Sequence, residues 1–295
     1  MDRPVVCFNA VMQQSLVFTD LDGTLLDDRY DLAGAADALD QVHAMGAVAI
    51  PVSSKTRAEM LLLRRHQRHP TPFVFENGAG IDWGDAQHWA PEMSTMPSGM
   101  TLHGLGYAQL CQRLTRLRSE LDINFSGFSE LSAEKVAELT KLSLVDAGLA
   151  KRRTASEPLV WLDDQQSVAK LKQALAKHDL LLQKGGRFYT ATSLRQKNDA
   201  VSEIIALLNQ QSWRPRRVIV CGDSPNDLSM LALANMALLF SDTVSDHGDT
   251  PGLRKRMKEY LMNAANPPEV LEVNGAGHES WLTAIDSSLS DLKQN

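Results

Sequence analysis

Hydrophobic residues along this chain are grouped in short runs that polar loops interrupt. Three runs near the N-terminus each end in polar or glycine-rich residues: LVFTDLDG, AVAIPVSSK and PFVFENGAG. Between the first two, Leu39, Val42 and Met45 lie at the spacing of one helix face, and TRAEMLLLRRHQ follows the second run as another helical pattern. Strands that alternate with helices are typical of a parallel sheet, so we predict an α/β fold.

The pattern changes between about Trp83 and Tyr189. Here we predict an amphipathic helix near residues 107–120, a strand at PLVWL, a helix around 166–178, and a hairpin, LLLQKGGRFYTAT, that turns at its two glycines. The first pattern then resumes with a helix at KNDAVSEIIALLNQ, a strand at RVIVCGD, a helix at DLSMLALAN and a strand at MALLF. Beyond residue 241 only a last helix near WLTAIDSSL is predicted.

The change of pattern predicts that a second domain is inserted into the first. We place an N-terminal extension at residues 1–14, a discontinuous parallel-sheet core at 15–83 and 190–295, and an inserted α+β domain at 84–189. In an open parallel sheet, ligands bind beyond the carboxyl ends of the strands. The polar loops that follow the apolar runs are therefore the candidates for a functional site.

Composition and charge favour a small-molecule partner. The chain has 295 residues, a formal net charge of -6 and an apolar fraction of 43%, and its sequence pI is near 5.8. This balance argues against nucleic-acid and membrane partners, which need clustered Lys and Arg. The cysteines Cys7, Cys111 and Cys221 lack the spacing of a metal site or a disulfide framework, and no apolar run has the length of a membrane helix. We expect a cytoplasmic protein and leave its oligomeric state open.

The first acidic pair follows a buried strand. Asp20 and Asp22 stand in DLDGT, two residues apart, and period-2 geometry places their side chains on one side. Two carboxylates so close repel each other unless a cation lies between them or one holds a proton. With Mg²⁺, one Asp can attack phosphorus while the other handles the proton of the leaving oxygen. The alternative is an ordinary Asp-Gly turn at a strand end.

The second acidic cluster has both a structural and a chemical interpretation. In GDSPNDLSML, Ser224, Pro225 and Asp227 form a capping arrangement for the following helix. Asp223, at the strand terminus just before the cap, has no structural role in that arrangement. A carboxylate at this position suits a metal ligand.

Two further groups suit a phosphate. VSSKT places Ser53 and Ser54 after a strand and near the backbone N–H groups of the next helix, although simple Ser/Thr capping is the alternative. Lys197 precedes a helix in SLRQKNDA, where a solvated lysine is the usual interpretation.

These motifs in this order resemble the haloacid dehalogenase (HAD) phosphohydrolase superfamily. The match consists of DLDGTLLD, VSSK, a lysine and GDSPNDLSML, with an insertion before the lysine. The insertion site resembles subgroup IIB, whose members carry a large α/β cap (type C2B) on a Rossmann-like core. Within that subgroup SSKT, ENGAGI, RRTASEPLVW, GGRFY and GDSPND resemble mannosyl-3-phosphoglycerate phosphatases, and the likeness runs from about Leu16 to at least Phe240.

The resemblance implies a role for each residue of the motifs. Asp20 is the expected nucleophile, and Asp22 is the expected general acid and base. Mg²⁺ is the expected cofactor, held by Asp20, the backbone carbonyl of Asp22 and Asp223, with support from Asp227. Ser53 and Lys197 are expected to bind the transferring phosphoryl oxygens. The substrate contacts that the resemblance implies are Ser54, Lys55, Glu76, Asn77, Arg153, Ser156, Glu157, Arg187 and Asn226.

The implied substrate is a phosphorylated glycosylglycerate, with mannosyl- and glucosyl-3-phosphoglycerate as rivals. Thr190 stands where the family has a histidine and Gln196 where it has a glycine, which puts sugar recognition and the geometry of the lysine loop in question, but not the phosphatase chemistry. Other hypotheses are a different sugar phosphatase for sucrose, trehalose or hexose phosphates, a phosphomutase, and a silent module that binds a phosphometabolite or a partner. A silent module has no need of Asp22, so that residue favours an enzyme.

Overall fold

A computed structural model describes residues 15–85, 89, 96–185, 188–211, 213–241 and 252–290. The N-terminal extension expected at 1–14 and the candidate substrate residue Arg187 lie outside the described residues.

Strands and helices occur in both parts of the predicted core and in the segment between them. In chain order the strands are β1 (Ser15–Thr19), β2 (Ala47–Pro51), β3 (Phe73–Phe75), β4 (Gly80–Gly84), β5 (Gly99–Leu102), β6 (Phe125–Gly127), β7 (Ser156–Trp161), β8 (Leu180–Lys184), β9 (Tyr189–Ser193), β10 (Val218–Gly222), β11 (Met236–Ser241) and β12 (Glu269–Asn274). The helices are α1 (Leu32–Ala44), α2 (Arg57–His66), α3 (Tyr107–Leu121), α4 (Ala133–Thr140), α5 (Leu144–Ala150), α6 (Gln165–Ala176), α7 (Lys197–Gln210), α8 (Leu228–Leu231), α9 (Leu253–Met262) and α10 (His278–Ser290).

The central sheet is parallel, which confirms the predicted α/β fold. Its strand order is β12-β11-β10-β1-β2, and Phe18 in β1 pairs with Val220 on one side and Ile50 on the other. Helices α1, α2 and α10 cover one face, and α7, α8 and α9 cover the other. Strands covered on both faces are apolar along their whole length, which explains the runs LVF, AVAI and VIVC.

A short antiparallel sheet, β3-β4-β5, adjoins the edge of the central sheet. Val52, just past β2, forms an isolated parallel bridge to Val74 in β3, and the indole of Trp83 in β4 is fully buried in the core beneath α7. Because β5 pairs with β4, whereas β9 pairs with β7 and β8, we propose that the inserted domain begins after Leu102 and ends at Ser193 instead of residue 189.

The segment between β5 and α7 contains its own four-stranded antiparallel sheet, in the order β6-β7-β9-β8. Leucines of α3 and α6 pack on one face of this sheet. The hairpin predicted around the two glycines is present, with Lys184 of β8 paired to Tyr189 of β9. Helices α4 and α5, which the sequence pattern did not predict, pack around Phe128 and Phe188.

Among the described residues, none of the helices combines the length and the apolar character that crossing a bilayer requires.

Candidate active site

The carboxyl ends of β1, β2 and β10 bring the candidate catalytic residues to one edge of the central sheet. Thr19, the last residue of β1, pairs with Pro51 and with Cys221. The chain then continues into Asp20, whose N–H donates to the carbonyl of Cys221 at 3.0 Å. Asp20 follows β1, Ser53 follows β2 and Asp223 follows β10, so a single edge of the sheet carries all three.

Lys197 is the centre of the site. Its ammonium donates to Asp20 Oδ1 and to Asp227 Oδ1, both at 2.7 Å. The lysine is only 1% exposed, so the interpretation as a solvated lysine is wrong. Burial raises the pKa of Asp20 to about 7, although the nearby Lys197 acts in the opposite direction. The two carboxylates keep the pKa of Lys197 above its ordinary value, so this ammonium stays charged despite its burial.

Asp227 serves both a structural and an electrostatic purpose. Its Oδ2 accepts from the N–H groups of Asp223 at 3.2 Å and Ser224 at 3.1 Å, and from the Ser224 hydroxyl at 3.0 Å. This confirms the capping arrangement predicted at the start of the short 3₁₀ turn Pro225–Asp227. Its other oxygen accepts from Lys197, so every oxygen of the buried carboxylate has a protein donor.

The acidic cluster fits a divalent cation. Carboxylate oxygens of Asp20, Asp223 and Asp227 lie within 4.8 Å of one another. The Oδ1 atom of Asp223 is buried and has no hydrogen-bond partner among the described residues. Burial, together with the charges of Asp20 and Asp227, raises the pKa of Asp223 to about 9. One lysine does not neutralise three carboxylates, and a hard cation with oxygen ligands, such as Mg²⁺, would relieve the remaining repulsion.

The Gly-Thr turn after Asp22 leaves space for this cluster. Gly23 has φ +76°, and a Cβ atom added to it would lie 2.4 Å from Oδ2 of Asp223. A side chain at this position would therefore both strain the turn and displace the candidate metal ligand.

Asp22 has different partners from Asp20. Its Oδ1 accepts from the hydroxyl of Tyr30 at 2.6 Å and pairs with Lys55 Nζ at 3.0 Å. Lys55 also donates to the Tyr30 hydroxyl at 3.2 Å. Burial acts to raise the pKa of Asp22, but Lys55 and the hydrogen bond from Tyr30 outweigh it and hold that pKa below its ordinary value. Lys55 is one of the expected substrate contacts, and in the structure its ammonium pairs with Asp22.

Ser53 is buried in the loop after β2, and it does not cap α2. The cap is Thr56, whose hydroxyl accepts from the Glu59 N–H at 3.2 Å while Glu59 Oε2 accepts from the Thr56 N–H at 2.8 Å. The Ser53 backbone is fixed by its N–H donating to the carbonyl of Val74 at 3.0 Å. The capping alternative thus applies to Thr56, while Ser53 Oγ accepts from the Lys55 N–H at 3.2 Å and keeps its own O–H as a donor for a ligand.

Several candidate substrate residues meet where the inserted segment contacts the core. Glu76 and Asn77 lie in the 3₁₀ turn Glu76–Gly78, and Glu76 Oε2 accepts from the hydroxyl of Ser156 at 2.6 Å. Arg153 Nη2 donates to the carbonyl of the exposed Ser54 at 3.2 Å. The Oδ1 atom of Asn77 is buried and has no partner among the described residues. A polar seam therefore joins the loop after β2 to the start of β7.

Two candidate substrate residues lie apart from this seam. Glu157, one residue after Ser156 in β7, faces the opposite side of the strand and accepts from Tyr107 at 2.7 Å and from the hydroxyl of Ser129 at 2.6 Å, inside the inserted segment. Asn226 is exposed in the turn after β10, where its amide oxygen accepts from the Ser224 hydroxyl.

Sequence reasoning did not identify Tyr30 as part of the site. Its backbone φ is 53°, in a turn that follows Asp22 by eight residues, and no motif marks it. The only local signal was the polar turn DDRYD, which is unremarkable for a loop.

Comparison with known protein families matches residues 17–241 to the family described as haloacid dehalogenase-like hydrolase. Solved structures with a similar fold include BT1666, a phosphatase of the HAD superfamily from Bacteroides thetaiotaomicron, with a TM-score of 0.60 and 15% identity over 98% of this chain and 99% of that one. A second is the HAD subclass IIB sugar phosphatase BT4131, with a TM-score of 0.58 and 13% identity over 93% and 99%. A third is SMU.1108c from Streptococcus mutans, with a TM-score of 0.60 and 18% identity over 94% and 99%.

Proposed function

Since the chain belongs to the haloacid dehalogenase-like hydrolase family, we propose that it is a Mg²⁺-dependent phosphatase of phosphorylated sugars. One observation carries the proposal: Lys197 joins Asp20 and Asp227 in a buried cluster beside Asp223, whose Oδ1 lacks a partner among the described residues. A buried ammonium and convergent carboxylates at the carboxyl edge of a parallel sheet are the groups that phosphoryl transfer through an aspartate requires.

In the first half of the reaction, Asp20 attacks phosphorus through one carboxylate oxygen. The bond between phosphorus and the leaving oxygen breaks, an aspartyl phosphate forms, and Asp22 donates a proton to the leaving oxygen. In the second half Asp22 takes a proton from water, which attacks the phosphorus and releases Asp20. Lys197 and the Ser53 hydroxyl bind phosphoryl oxygens and offset the charge that spreads over them. Mg²⁺ would be held by Asp20, Asp223 and the backbone carbonyl of Asp22, and would supply further charge neutralisation.

The surroundings of Asp22 favour the ionisation state that the second half of the reaction needs. The first half needs the protonated state, which depends on the bound substrate. Lys55 and Tyr30 favour the ionised carboxylate, which is the form that deprotonates water. A phosphate group brought close to Asp22 adds negative charge, which raises the pKa of this carboxylate and favours the protonated form that the first half needs. The approach of substrate therefore prepares the general acid.

Support for a sugar phosphate as substrate comes from the similar fold of a IIB sugar phosphatase. The narrower assignment, mannosyl- or glucosyl-3-phosphoglycerate, is supported by the motifs SSKT, ENGAGI, RRTASEPLVW and GGRFY. Sucrose, trehalose and hexose phosphates fit the same catalytic groups equally well. A small-molecule substrate and a cytoplasmic location accord with the acidic net charge of -6 and with the unpaired thiols of Cys111 and Cys221.

Phosphate release tests the proposal. The panel contains both glycosyl-3-phosphoglycerates, sucrose 6-phosphate, trehalose 6-phosphate and hexose phosphates, each with Mg²⁺. We expect turnover that Asp20→Asn abolishes, whereas Asp37→Asn, at an exposed aspartate paired with Arg68, leaves it intact. Near-normal activity of Asp20→Asn would reject the mechanism. Slow, even turnover of the whole panel would reject the glycosylglycerate assignment alone.

A further inference from the structure

The turn Glu76–Gly78 connects three parts of the molecule. Its first two residues have left-handed backbone conformations, with φ 50° at Glu76 and 58° at Asn77. Such conformations are unfavourable for residues with a Cβ atom and persist where the surroundings hold them. Here the backbone holds them: the Glu76 N–H donates to the carbonyl of Lys55 and the Asn77 N–H to the carbonyl of Ser53, both at 2.9 Å. The turn is thus tied to the candidate phosphate-binding loop.

The third residue of the turn, Gly78, contacts the chain just before the catalytic lysine. Its carbonyl accepts from Arg195 Nε at 2.9 Å. Gly78 has φ +99°, and a Cβ atom added there would lie 2.2 Å from the carbonyl oxygen of Gln196. The backbone of this one turn therefore contacts the segments that carry both Ser53 and Lys197.

The side chain of Glu76 extends away from these core contacts into the inserted segment. Residues 153–156, which we call the cradle, surround its carboxylate. Oε1 accepts from the N–H of Thr154 at 2.7 Å, and Oε2 accepts from the N–H of Ala155 at 3.0 Å and the hydroxyl of Ser156 at 2.6 Å. Arg153 Nε lies 3.7 Å from Oε2. Glu76 is 0% exposed, so its carboxylate is fully buried where it contacts the cradle.

The cradle has the chemistry of an anion site, since it offers two successive backbone N–H groups, a hydroxyl and a guanidinium. Its occupant is a carboxylate of this chain. A substrate carboxylate could bind there only by expelling Glu76, which would leave a buried charge without its partners. The cradle therefore serves to hold Glu76, and Arg153 contributes to that contact.

We propose that Glu76 is a positioning residue that holds the inserted domain over the active site, so that recognition of the leaving group depends on the contact between Glu76 and the cradle. The proposal rests on the proposed phosphatase function. The backbone of the turn holds the Ser53 loop, and the side chain of Glu76 holds the cradle. The phosphoryl site and the surface that faces the leaving group are therefore held at a constant separation. A phosphate ester too small to reach the inserted domain gains nothing from this contact.

Glu76→Gln tests the proposal, because glutamine has the same shape but only one acceptor end. In either orientation of the amide, its NH₂ group faces an N–H donor of the cradle. We expect kcat/KM for the best sugar phosphate of the panel to fall by about ten- to a hundredfold, mainly through KM, as misplaced substrate-positioning groups do. For p-nitrophenyl phosphate, whose leaving group is small, we expect a change of less than about twofold.

The matched control is Glu130→Gln. Glu130 pairs with Arg118 and accepts from the Gly127 N–H, and both partners lie within the inserted segment. We expect this variant to keep the wild-type preference for the sugar phosphate. An equal loss on both substrates in Glu76→Gln, or no loss on either, would overturn the proposed role.

Hydrogen exchange tests the contact without relying on activity. The amides of Thr154 and Ala155 donate directly to Glu76, so we expect them to exchange faster in Glu76→Gln than in the wild type and in Glu130→Gln. If Glu76→Gln does not fold, Ser156→Ala removes one donor and should give a smaller increase at the same amides. Unchanged exchange would overturn the proposal. A wild-type protein without phosphatase activity would instead reject the proposed function, while exchange would still report on the contact.

Discussion

Replacement of Lys197 by methionine is the sharpest test of the buried cluster. The side chain keeps a similar length but loses the ammonium that donates to Asp20 and Asp227 at 2.7 Å each. Three carboxylates whose oxygens lie within 4.8 Å of one another then have no cation. At that separation and an effective dielectric constant of about 20, each ionised pair repels by ~3.5 kcal/mol. Proton uptake relieves part of this repulsion.

We therefore expect Lys197→Met to lower the free energy of unfolding of the metal-free protein by about 3–5 kcal/mol near pH 8, the usual cost of breaking a buried ion pair. Loss of the ammonium raises the pKa of Asp20 further above its value in the unfolded chain. The folded variant then binds more protons than the unfolded one, so its stability falls as pH rises, and the loss should be smaller near pH 5. We also expect kcat to fall by about 10²–10³, as when one preorganised electrostatic contact to the transition state is removed.

Denaturant titration at both pH values and steady-state kinetics measure these effects. The control is Lys135→Met, which removes an exposed lysine paired with Glu138 at 2.8 Å and should change stability by less than about 1 kcal/mol. If Lys197→Met loses no more stability than the control, the cluster is not held by this ammonium. If its kcat stays within about tenfold of wild type, Lys197 does not act on the transition state.

Two further predictions concern the metal and the general acid. Because the pKa of Asp223 is raised to about 9 and that of Asp20 to about 7, the folded metal-free protein holds protons that the unfolded chain has lost, and its stability falls as pH rises between about pH 4 and pH 9. Mg²⁺ competes with those protons, so it should raise Tm more near pH 8.5 than near pH 5; an equal rise in thermal melts would contradict this assignment. Tyr30→Phe removes the hydroxyl 2.6 Å from Asp22 Oδ1, a hydrogen bond that favours the ionised carboxylate of the second half-reaction. Since a hydrogen bond to a charged group contributes about 1.5–3 kcal/mol, kcat should fall about tenfold or more, and KM should fall with it because kcat/KM reports only the first half-reaction. Unchanged kcat in steady-state assays would remove Tyr30 from the reaction.

The sequence predicts most accurately those elements whose signals are local. The helix written KNDAVSEIIALLNQ spans the same residues in the structure, Lys197–Gln210. Its apolar positions repeat at the helical period, and Gln196 with Asp199 forms a local cap, since the Gln196 N–H donates to Asp199 at 2.7 Å. The apolar runs LVF, AVAI, VIVC and MALLF likewise became central strands, because a strand buried on both faces needs no alternation, whereas PFVF became β3 of the short antiparallel sheet.

Elements without such a signal were not predicted. Strand β12, EVLEVN, lies at the edge of the central sheet, and its side chains are mostly exposed or half-buried. An edge strand whose side chains face solvent tolerates acidic residues, because they stay hydrated. Its sequence therefore resembles that of a loop. Helix DLSMLALAN was predicted as one element, but the structure has the 3₁₀ turn Pro225–Asp227 followed by the short α8. The predicted helix reaches Asn235, whereas α8 ends at Leu231.

In the candidate site, the sequence predicted the polar residues that follow the strands. It did not predict the contacts that give these residues different chemical environments. The pairs that matter join residues far apart in the chain: Lys55 to Tyr30, and Glu76 to Ser156. No spacing rule encodes such pairs, because they depend on how the inserted segment and the loop after β1 fold onto the core. The left-handed backbone at Glu76 is equally hidden, since the usual marker of that conformation is glycine.

The two interpretations of GDSPND illustrate why a structural role does not exclude a catalytic one. Asp227 caps the turn with Oδ2 and holds Lys197 with Oδ1. The capping bonds place the carboxylate, and the placed carboxylate then fixes the ammonium against Asp20. Asp223, which takes no part in the cap through its own side chain, keeps its Oδ1 free of partners among the described residues. In this turn, Asp227 therefore positions the lysine, while Asp223 is available to a cation. The two residues differ because the local backbone N–H groups donate to an oxygen of Asp227 and leave Oδ1 of Asp223 without a donor in the described part of the chain.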